Sequence, residues 1–585
     1  MKSFIYSFLL KKSFSKEILM ETYQQLIQSF HDYFTQDAND CIRLGVTRHL
    51  DDLPDPSLAA ISRRVTNGGR LLSDFQNFSR DHLSFDRQLD LDLGILALKS
   101  ELFRLTYRFN GKTQLEQMPT AGDDISNGLF YLFINDPRSA QNRLDNITAR
   151  LEKVPAFLAA LLSRLDTPVQ RWVDMDVAKT AELPAFFASL CTWAKREQYP
   201  GVVRLKSARK KAETALADYA AKLQTMTTTV QFSIGPEQAA RLIALKGIDL
   251  SLDELHQLAK NFLAATTREI ESLRRKLAAK YNLPDTMTVE ELQAFLNHKY
   301  RFILKNGSLD SLLPRYQQER DKIQSFIEKQ NLFPLFPEQD MLILRTPAFM
   351  TPSIPSGAMV SPPPFRPGVK TSLIYLTLSE ELLDDHTELA IPCMMIHEGI
   401  PGHHLQLATA CSHPSVIRRH FDAQEHSEGW TTMLEDYMLD RGYMGDLTDE
   451  ARFTGKRDIS RIGARTAIDL YFMTGDKHYL DVDIPVDFSS DDPFVNAGRL
   501  LQAVTGFTPG RTQAELNWYS QERGYPLCYL VGNHLVWQLK KELTAAQAGR
   551  LSSLETDRLF HKVYLESGNM PLSFLRKLFQ NKNLL

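Results

Sequence analysis

Apolar residues spaced three and four apart run almost unbroken from Ile18 to about Lys329, and no other feature constrains the fold as strongly. Each such stripe is the buried face of a helix and needs a partner helix to cover it. The segments Tyr23 to Phe34, Leu91 to Phe109, Ala140 to Leu165, Val203 to Leu223 and Leu252 to Lys280 carry the pattern, punctuated by Pro155, Pro168, Pro184, Pro200 and Pro284. Thr225 to Gly235, with Thr227-Thr228-Thr229-Val230-Gln231-Phe232, is the best strand candidate of this half. The basic run Arg204 to Lys211 reads as a solvated helix face rather than an anion patch.

The helical spacing gives way at Leu332. Met341 to Thr346 reads as a strand, and the Pro-dense stretch Pro347 to Pro367 forbids regular helix. Ser372 to Leu378 reads as a second short strand, either an edge that pairs with an extended peptide or an ordinary buried strand, the edge role being slightly favoured. From Glu388 to Leu585 the pattern is again mainly helical.

Between the second strand and the later helices lies Ile396-His397-Glu398-Gly399-Ile400-Pro401-Gly402-His403-His404-Leu405-Gln406, with three imidazoles and a carboxylate in eight residues. Neutral imidazoles are zinc ligands, and a carboxylate beside the metal can take a proton from water. In the standard zincin helix the second His follows the first by four residues, but position 401 here is Pro. Residues six or seven apart on a straight helix are separated by about 9–10.5 Å along its axis, too far to share one zinc. A bulge at Gly399 to Gly402 would solve this: two extra residues would bring in His403, three would bring in His404. His403 is preferred because Gly-His also ends the shorter zincin motifs, and His404 stays the alternate. The third ligand expected is Glu428, in His426-Ser427-Glu428-Gly429-Trp430, 25 residues after His403 and at the start of a second helix. Together His397, His403 and Glu428 leave a fourth position open. Cys393, one turn before His397, reads as a small buried hydrophobe and not a ligand.

The HExxPGHHxQ signature followed by Glu428-Gly429-Trp430 resembles a bacterial domain-of-unknown-function family, number 885, regarded as zincin-like metallopeptidases. The resemblance covers nearly the whole chain. It includes Leu44-Gly45, Asp52-Leu53-Pro54-Asp55, Arg366-Pro367-Gly368, the strand Ser372 to Leu378, and Phe560-His561 with Gly568, Pro571 and Leu572. Met433 stands where the family has Tyr, while Glu435 is kept. The family's later Tyr-Pro-Gly-Gln-Tyr-Gly pattern appears as Tyr519, Arg523, Gly524, Tyr525, Tyr529 and Gly532, and the changes at 523 and 525 bear on substrate preference more than on the metal.

The resemblance and the residues together imply a mainly α, large two-lobed metallopeptidase-like fold, with a cleft and a small β-sheet next to the metal helix. Residues 1–19 are expected to be an N-terminal extension, 20–335 a helical lobe, and 336–585 a catalytic lobe intertwined with it. The expected activity is hydrolysis of oligopeptides with Zn2+ as cofactor, Glu398 as general base and Tyr529 as oxyanion donor, Tyr525 and Tyr519 being fallbacks. His426 and Glu435 are expected to orient the ligands. Tyr375, Thr377, Arg465 and Tyr525 are expected to meet substrate. Arg461, Arg465 and Asp469 fall four apart, which suits an ion-paired stripe or, more sharply, a grip on a substrate carboxylate. The rival expectations are a non-catalytic metal- or peptide-binding protein, which has no need of Glu398, and a zinc amidase acting on a non-peptide amide.

Charge argues against nucleic acid, since Lys+Arg minus Asp+Glu is 68 − 71 = −3 over 585 residues. The five cysteines are widely spaced without a CxxC, which suits a reducing compartment. Lys11 and Lys12 cut short the apolar run Phe4 to Leu10, with no cleavage site or lipid-accepting Cys after it, and Met20 is an alternative start. No run approaches the ~18 apolar residues of a membrane span. A cytoplasmic location is therefore expected, and the sequence carries no sign of oligomeric state.

Overall fold

The computed structural model describes residues 20–347 and 357–585. The expectations for residues 1–19 and for the Pro-rich segment at 348–356 lie outside the described residues. The chain is mainly helical, with small sheets. Its residues gather into two compact units. Among the described residues, one holds the chain up to Val230 together with Pro363–Arg366 and His413–Phe421, and the other holds the rest. The parting expected at 335 falls inside the second unit, so residues 231–335 pack with the metal motif.

The first unit is a stack of long helices whose starts are chemically marked. Ser57, Ser84 and Ser139 each accept a hydrogen bond from a first-turn amide of Leu58–Asn77, Phe85–Thr106 and Ala140–Arg164, satisfying donors that a helix start leaves free. Pro155 and Pro184, expected to punctuate, lie inside Ala140–Arg164 and Gln170–Arg196. Burial of Leu151, Val154, Phe157 and Leu158 around Pro155 offsets the roughly 3 kcal/mol that an internal proline costs. A minimal hairpin, β1 (Arg108–Phe109) and β2 (Lys112–Thr113), turns at Asn110 and Gly111, both at positive φ. The strand expected over Thr225 to Gly235 does not form: Thr229 makes one isolated bridge to Val169, and no further strand among the described residues extends it.

The second unit carries the three-stranded sheet β3 (Gln339–Arg345), β4 (Gly357–Val360) and β5 (Lys370–Leu376). Its order is β3-β5-β4, with β5 parallel to β3 and antiparallel to β4. The edge role favoured for Ser372 to Leu378 is thus corrected: β5 is the central strand, both its ladders are used, and it is buried from Ser372 onward. Strand β4, which the proline density hid, takes one of the edges. Helices Ala390–Glu398, His403–Cys411, Gln424–Asp440, Arg461–Thr474, Pro509–Gln521 and Cys528–Ala546 make up the surroundings of the motif.

Candidate metal centre

Helix Ala390–Glu398 starts where the Thr387 hydroxyl accepts from the Ala390 amide, and Pro392 sits in the first turn, where no intrahelical amide bond is lost. Ile391, Pro392, Met395 and Ile396 are buried, which holds the helix end bearing His397 and Glu398 against the core. No bulge follows. The helix stops at Glu398, the chain passes through Gly399 and a cis Ile400–Pro401 bond, and a new helix begins at His403. Gly402 folds back so tightly that a Cβ there would lie 1.9 Å from the His397 carbonyl oxygen and 2.2 Å from that of Ile396. Only glycine permits that approach, and it brings the His403 ring 5.0 Å from the His397 ring, at 83° to it.

The third residue arrives on Gln424–Asp440. The Trp430 indole N–H donates to the Pro401 carbonyl at 2.9 Å, pinning this helix to the turn between the two His helices. On its other side Gly429 meets Gly532 of Cys528–Ala546, where a Cβ on Gly429 would lie 2.4 Å from the Gly532 carbonyl carbon. Glu428 is thereby aimed at both imidazoles. Its Oε2 lies 3.4 Å from His403 Nε2 and 3.9 Å from His397 Nε2, and the ligand atoms of all three residues lie within 4.8 Å of one another. Tetrahedral zinc with bonds of about 2.0–2.2 Å sets its ligands about 3.3 Å apart, so a small inward movement suffices.

The donor set fits a cation on its chemistry. Glu428 Oε2 is buried and has no hydrogen-bond partner, although it faces two imidazole nitrogens. Burial pushes the Glu428 carboxyl up, but His403 and then His397 outweigh that and hold it down to about 2. An ionised oxygen sealed from water is costly unless positive charge meets it, from the imidazoles when they are protonated or from a bound cation when they are neutral. Its other oxygen accepts from the Tyr525 hydroxyl at 2.8 Å. The far nitrogen of His397, Nδ1, is 2.7 Å from Glu435 Oε1, an arrangement that turns Nε2 toward the centre. Burial pushes the Cys393 thiol up to about 12, which leaves it protonated.

Several other expected residues are placed elsewhere. His404 is buried with its Nδ1 2.8 Å from the Ser372 hydroxyl of β5, so it ties the second helix to the sheet. His426 is turned to the Met570 carbonyl, 2.9 Å from Nδ1, and packs on the Tyr564 ring, so it orients no ligand. Tyr375 and Thr377 are each 3 % exposed, and the Thr377 hydroxyl bonds that of Thr346 at 2.9 Å, so neither faces a peptide site. Tyr375 belongs to the central strand β5, paired on both sides, and Thr377 follows directly after its end. Arg465 is committed too: Nε donates to the Tyr519 hydroxyl and Nη2 to Glu515, both at 2.8 Å. Asp469 accepts from the Gly524 and Leu527 amides instead of pairing with that arginine.

Tyr529 and Tyr525 stack at 5.8 Å and 14°, and the Arg465 guanidinium lies 4.7 Å from the Tyr529 ring centre. Burial, then Glu428, pushes the Tyr529 phenol well up, so it stays protonated. Glu398, half-buried beside His397, makes no hydrogen bond or ion pair among the described residues. The sequence marked Trp430 and Gly402 within the motif, but not the bond of Trp430 to Pro401, the fold-back at Gly402 or the contact of Ser372 with His404. The signal present was only a Trp directly after Glu-Gly and a Gly directly before the second His.

A helical protein with a buried His-His-Glu centre is thus the class that fold and site define. Residues 41–578 match the family described as “Bacterial protein of unknown function (DUF885)”, and the chain belongs to that family. No curated protein matches it. Solved structures that share the fold include one described as a “putative lipoprotein of unknown function” from Shewanella oneidensis and one described as a “putative lipoprotein” from Colwellia psychrerythraea. The first is 17% identical with a TM-score of 0.74, over 95% of this chain and 99% of that one. The second is 15% identical with a TM-score of 0.76, over 96% and 99%. The lipoprotein description belongs to those proteins. No helix among the described residues is long and apolar enough to cross a membrane.

Proposed function

We propose that this chain is a zinc-dependent peptidase with a metallopeptidase-like site, acting on oligopeptides. The observation that carries the reading is the buried, unbonded Glu428 oxygen facing the Nε2 atoms of His397 and His403. His397, His403 and Glu428 would hold the zinc ion, which when bound supplies Lewis acidity toward water and toward the scissile carbonyl. Glu398 takes the proton from the attacking water and delivers it to the departing amine, a role its unpaired carboxylate leaves it free to play. Tyr529 donates to the oxyanion that develops on the carbonyl, with its ring held between Tyr525 and Arg465. Tyr525, whose hydroxyl is engaged by Glu428, acts as a positioning residue and not as that donor.

Glu398→Gln keeps the side chain's size and removes the proton acceptor. Turnover of any peptide the parent cleaves should fall ~10²–10⁴-fold, the usual contribution of general-base assistance, while zinc content and melting temperature stay level. Undiminished turnover at full zinc would remove Glu398 from the mechanism. Zinc binding by the parent with no cleavage across a broad peptide library would make the chain a binder.

A further inference from the structure

Arg461 opens the helix Arg461–Thr474, one turn before Arg465 and on the same face. The two arginines are provided for very differently. Arg465 has the Nε–Nη2 side of its fork engaged, by Tyr519 and Glu515, and lies over the face of Tyr529. Arg461 uses a single nitrogen, Nη1, for the Asp458 carboxylate and the Asp458 carbonyl. Asp458 is 51% exposed, so that pair is a weak, solvent-screened one. Nε and Nη2 of Arg461 make no bond among the described residues, yet the side chain is only 17% exposed. A guanidinium presents its donors as a planar fork matched to a carboxylate, and here one side of the fork is open.

The surroundings tie this open fork to the metal centre. From Glu428 the contacts run through the Tyr525 hydroxyl to the Tyr525–Tyr529 stack and on to Arg465, the next turn of the arginine helix. Arg461 also feels the charges of Glu435, which holds His397, and of Glu515, and it is close enough to Tyr529 to interact with it electrostatically. Burial, reinforced by the neighbouring Arg465 charge, lowers its affinity for its own proton, the condition of a cation short of counter-charge. Glu515 is already shared by Arg465 and Tyr519 and cannot serve it fully.

We infer that Arg461 is a specificity-determining residue that binds a carboxylate of the substrate, and that the carboxylate is the peptide's free C-terminus. The inference rests on the peptidase reading of the site, which the Arg465 and Tyr529 contacts adjoin. It shifts the anion-binding role from Arg465, whose Nε–Nη2 side is already engaged, to the residue one turn earlier, whose Nε–Nη2 side is open. The consequence is cleavage near the C-terminal end of short peptides rather than in the middle of long ones.

The test measures binding and cleavage separately. Three versions of one peptide are compared: the free acid, the C-terminal amide, and the amide with a Glu side chain at the last position. Binding is titrated calorimetrically against zinc-loaded Glu398→Gln protein, and again without zinc, so that the result does not depend on turnover. The free acid should bind at least ten-fold tighter than the amide, with the Glu amide close to the plain amide. Adding Arg461→Gln should bring the acid-to-amide ratio near one, and Arg461→Lys should restore part of it. Equal melting temperature and zinc content in these variants would exclude a folding defect. In the active protein the same ratio should appear in KM rather than in kcat. A parent that does not distinguish acid from amide, or a ratio that survives Arg461→Gln, overturns the inference. Equal binding of the Glu amide and the free acid overturns its C-terminal assignment. Selective binding without cleavage by the active parent would keep Arg461 in place and sink the peptidase reading alone.

Discussion

At the scale of single residues, chemistry-demanding side chains were the most legible. Two imidazoles and a carboxylate gathered in one place have few substitutes, and residue type marked His397, His403, with His404 as alternate, and Glu428 as candidates; of these the structure brings His397, His403 and Glu428 within 4.8 Å of one another. His404 and His426 carry the same chemistry and sit beside the same residues, yet one ties a helix to Ser372 and the other meets the Met570 carbonyl. Which neighbour a histidine faces depends on a turn geometry that spacing does not encode. Glu435 offers a direct check. Its carboxylate at 2.7 Å from Nδ1 orients His397, and loss of such outer partners typically weakens metal binding ~10–100-fold. Glu435→Gln should therefore bind zinc about ten-fold more weakly in a chelator competition while keeping its far-ultraviolet circular dichroism. Unchanged affinity would mean that the contact orients nothing.

At the scale of elements, helix positions followed from periodicity: Leu252–Lys280 and Ala140–Arg164 form where the apolar stripes lie, with Ser251 and Ser139 at their starts. The break between Ala390–Glu398 and His403–Cys411 was half legible. Pro401 announced an interruption, but a clean stop with a fold-back rests on the fit of Gly402 against two carbonyl oxygens. The centrality of β5 was not legible, because it requires β4, whose residues Gly357 to Val360 stand among prolines and carry no alternation. The crossing of Gln424–Asp440 and Cys528–Ala546 is the element contact on which the centre depends. A Cβ on Gly532 would lie 2.0 Å from the Glu425 carbonyl oxygen, backbone against backbone. Gly532→Ala should cost about 1–3 kcal/mol in urea unfolding or more, and should weaken zinc binding by moving Tyr525 away from Glu428. A variant with parental stability and affinity would show that the crossing can relax without consequence.

At the scale of the whole molecule, stability should carry a pH signature from carboxyl groups removed from water. Burial pushes Asp124, Glu425 and Asp469 each up to about 7. Unfolded, such groups ionise near 4, so between about pH 4 and 7 the native chain holds protons that the unfolded chain releases. Their contribution is therefore fully present below about pH 4 and lost as pH rises through 7. Asp469→Asn removes one of them. The variant's unfolding free energy relative to the parent should rise between about pH 4 and 7, by about 1.4 kcal/mol for each pH unit crossed. A pH-independent difference would contradict the raised Asp469 value. The central claim is the metal centre itself, and its most direct measurement is the zinc content of the purified chain by inductively coupled plasma mass spectrometry, after dialysis against trace zinc. About one zinc per chain is predicted for the parent and for His404→Ala, and almost none for His397→Ala, His403→Ala or Glu428→Ala. A parent without zinc, or a His403→Ala chain that keeps it while His404→Ala loses it, would contradict the account.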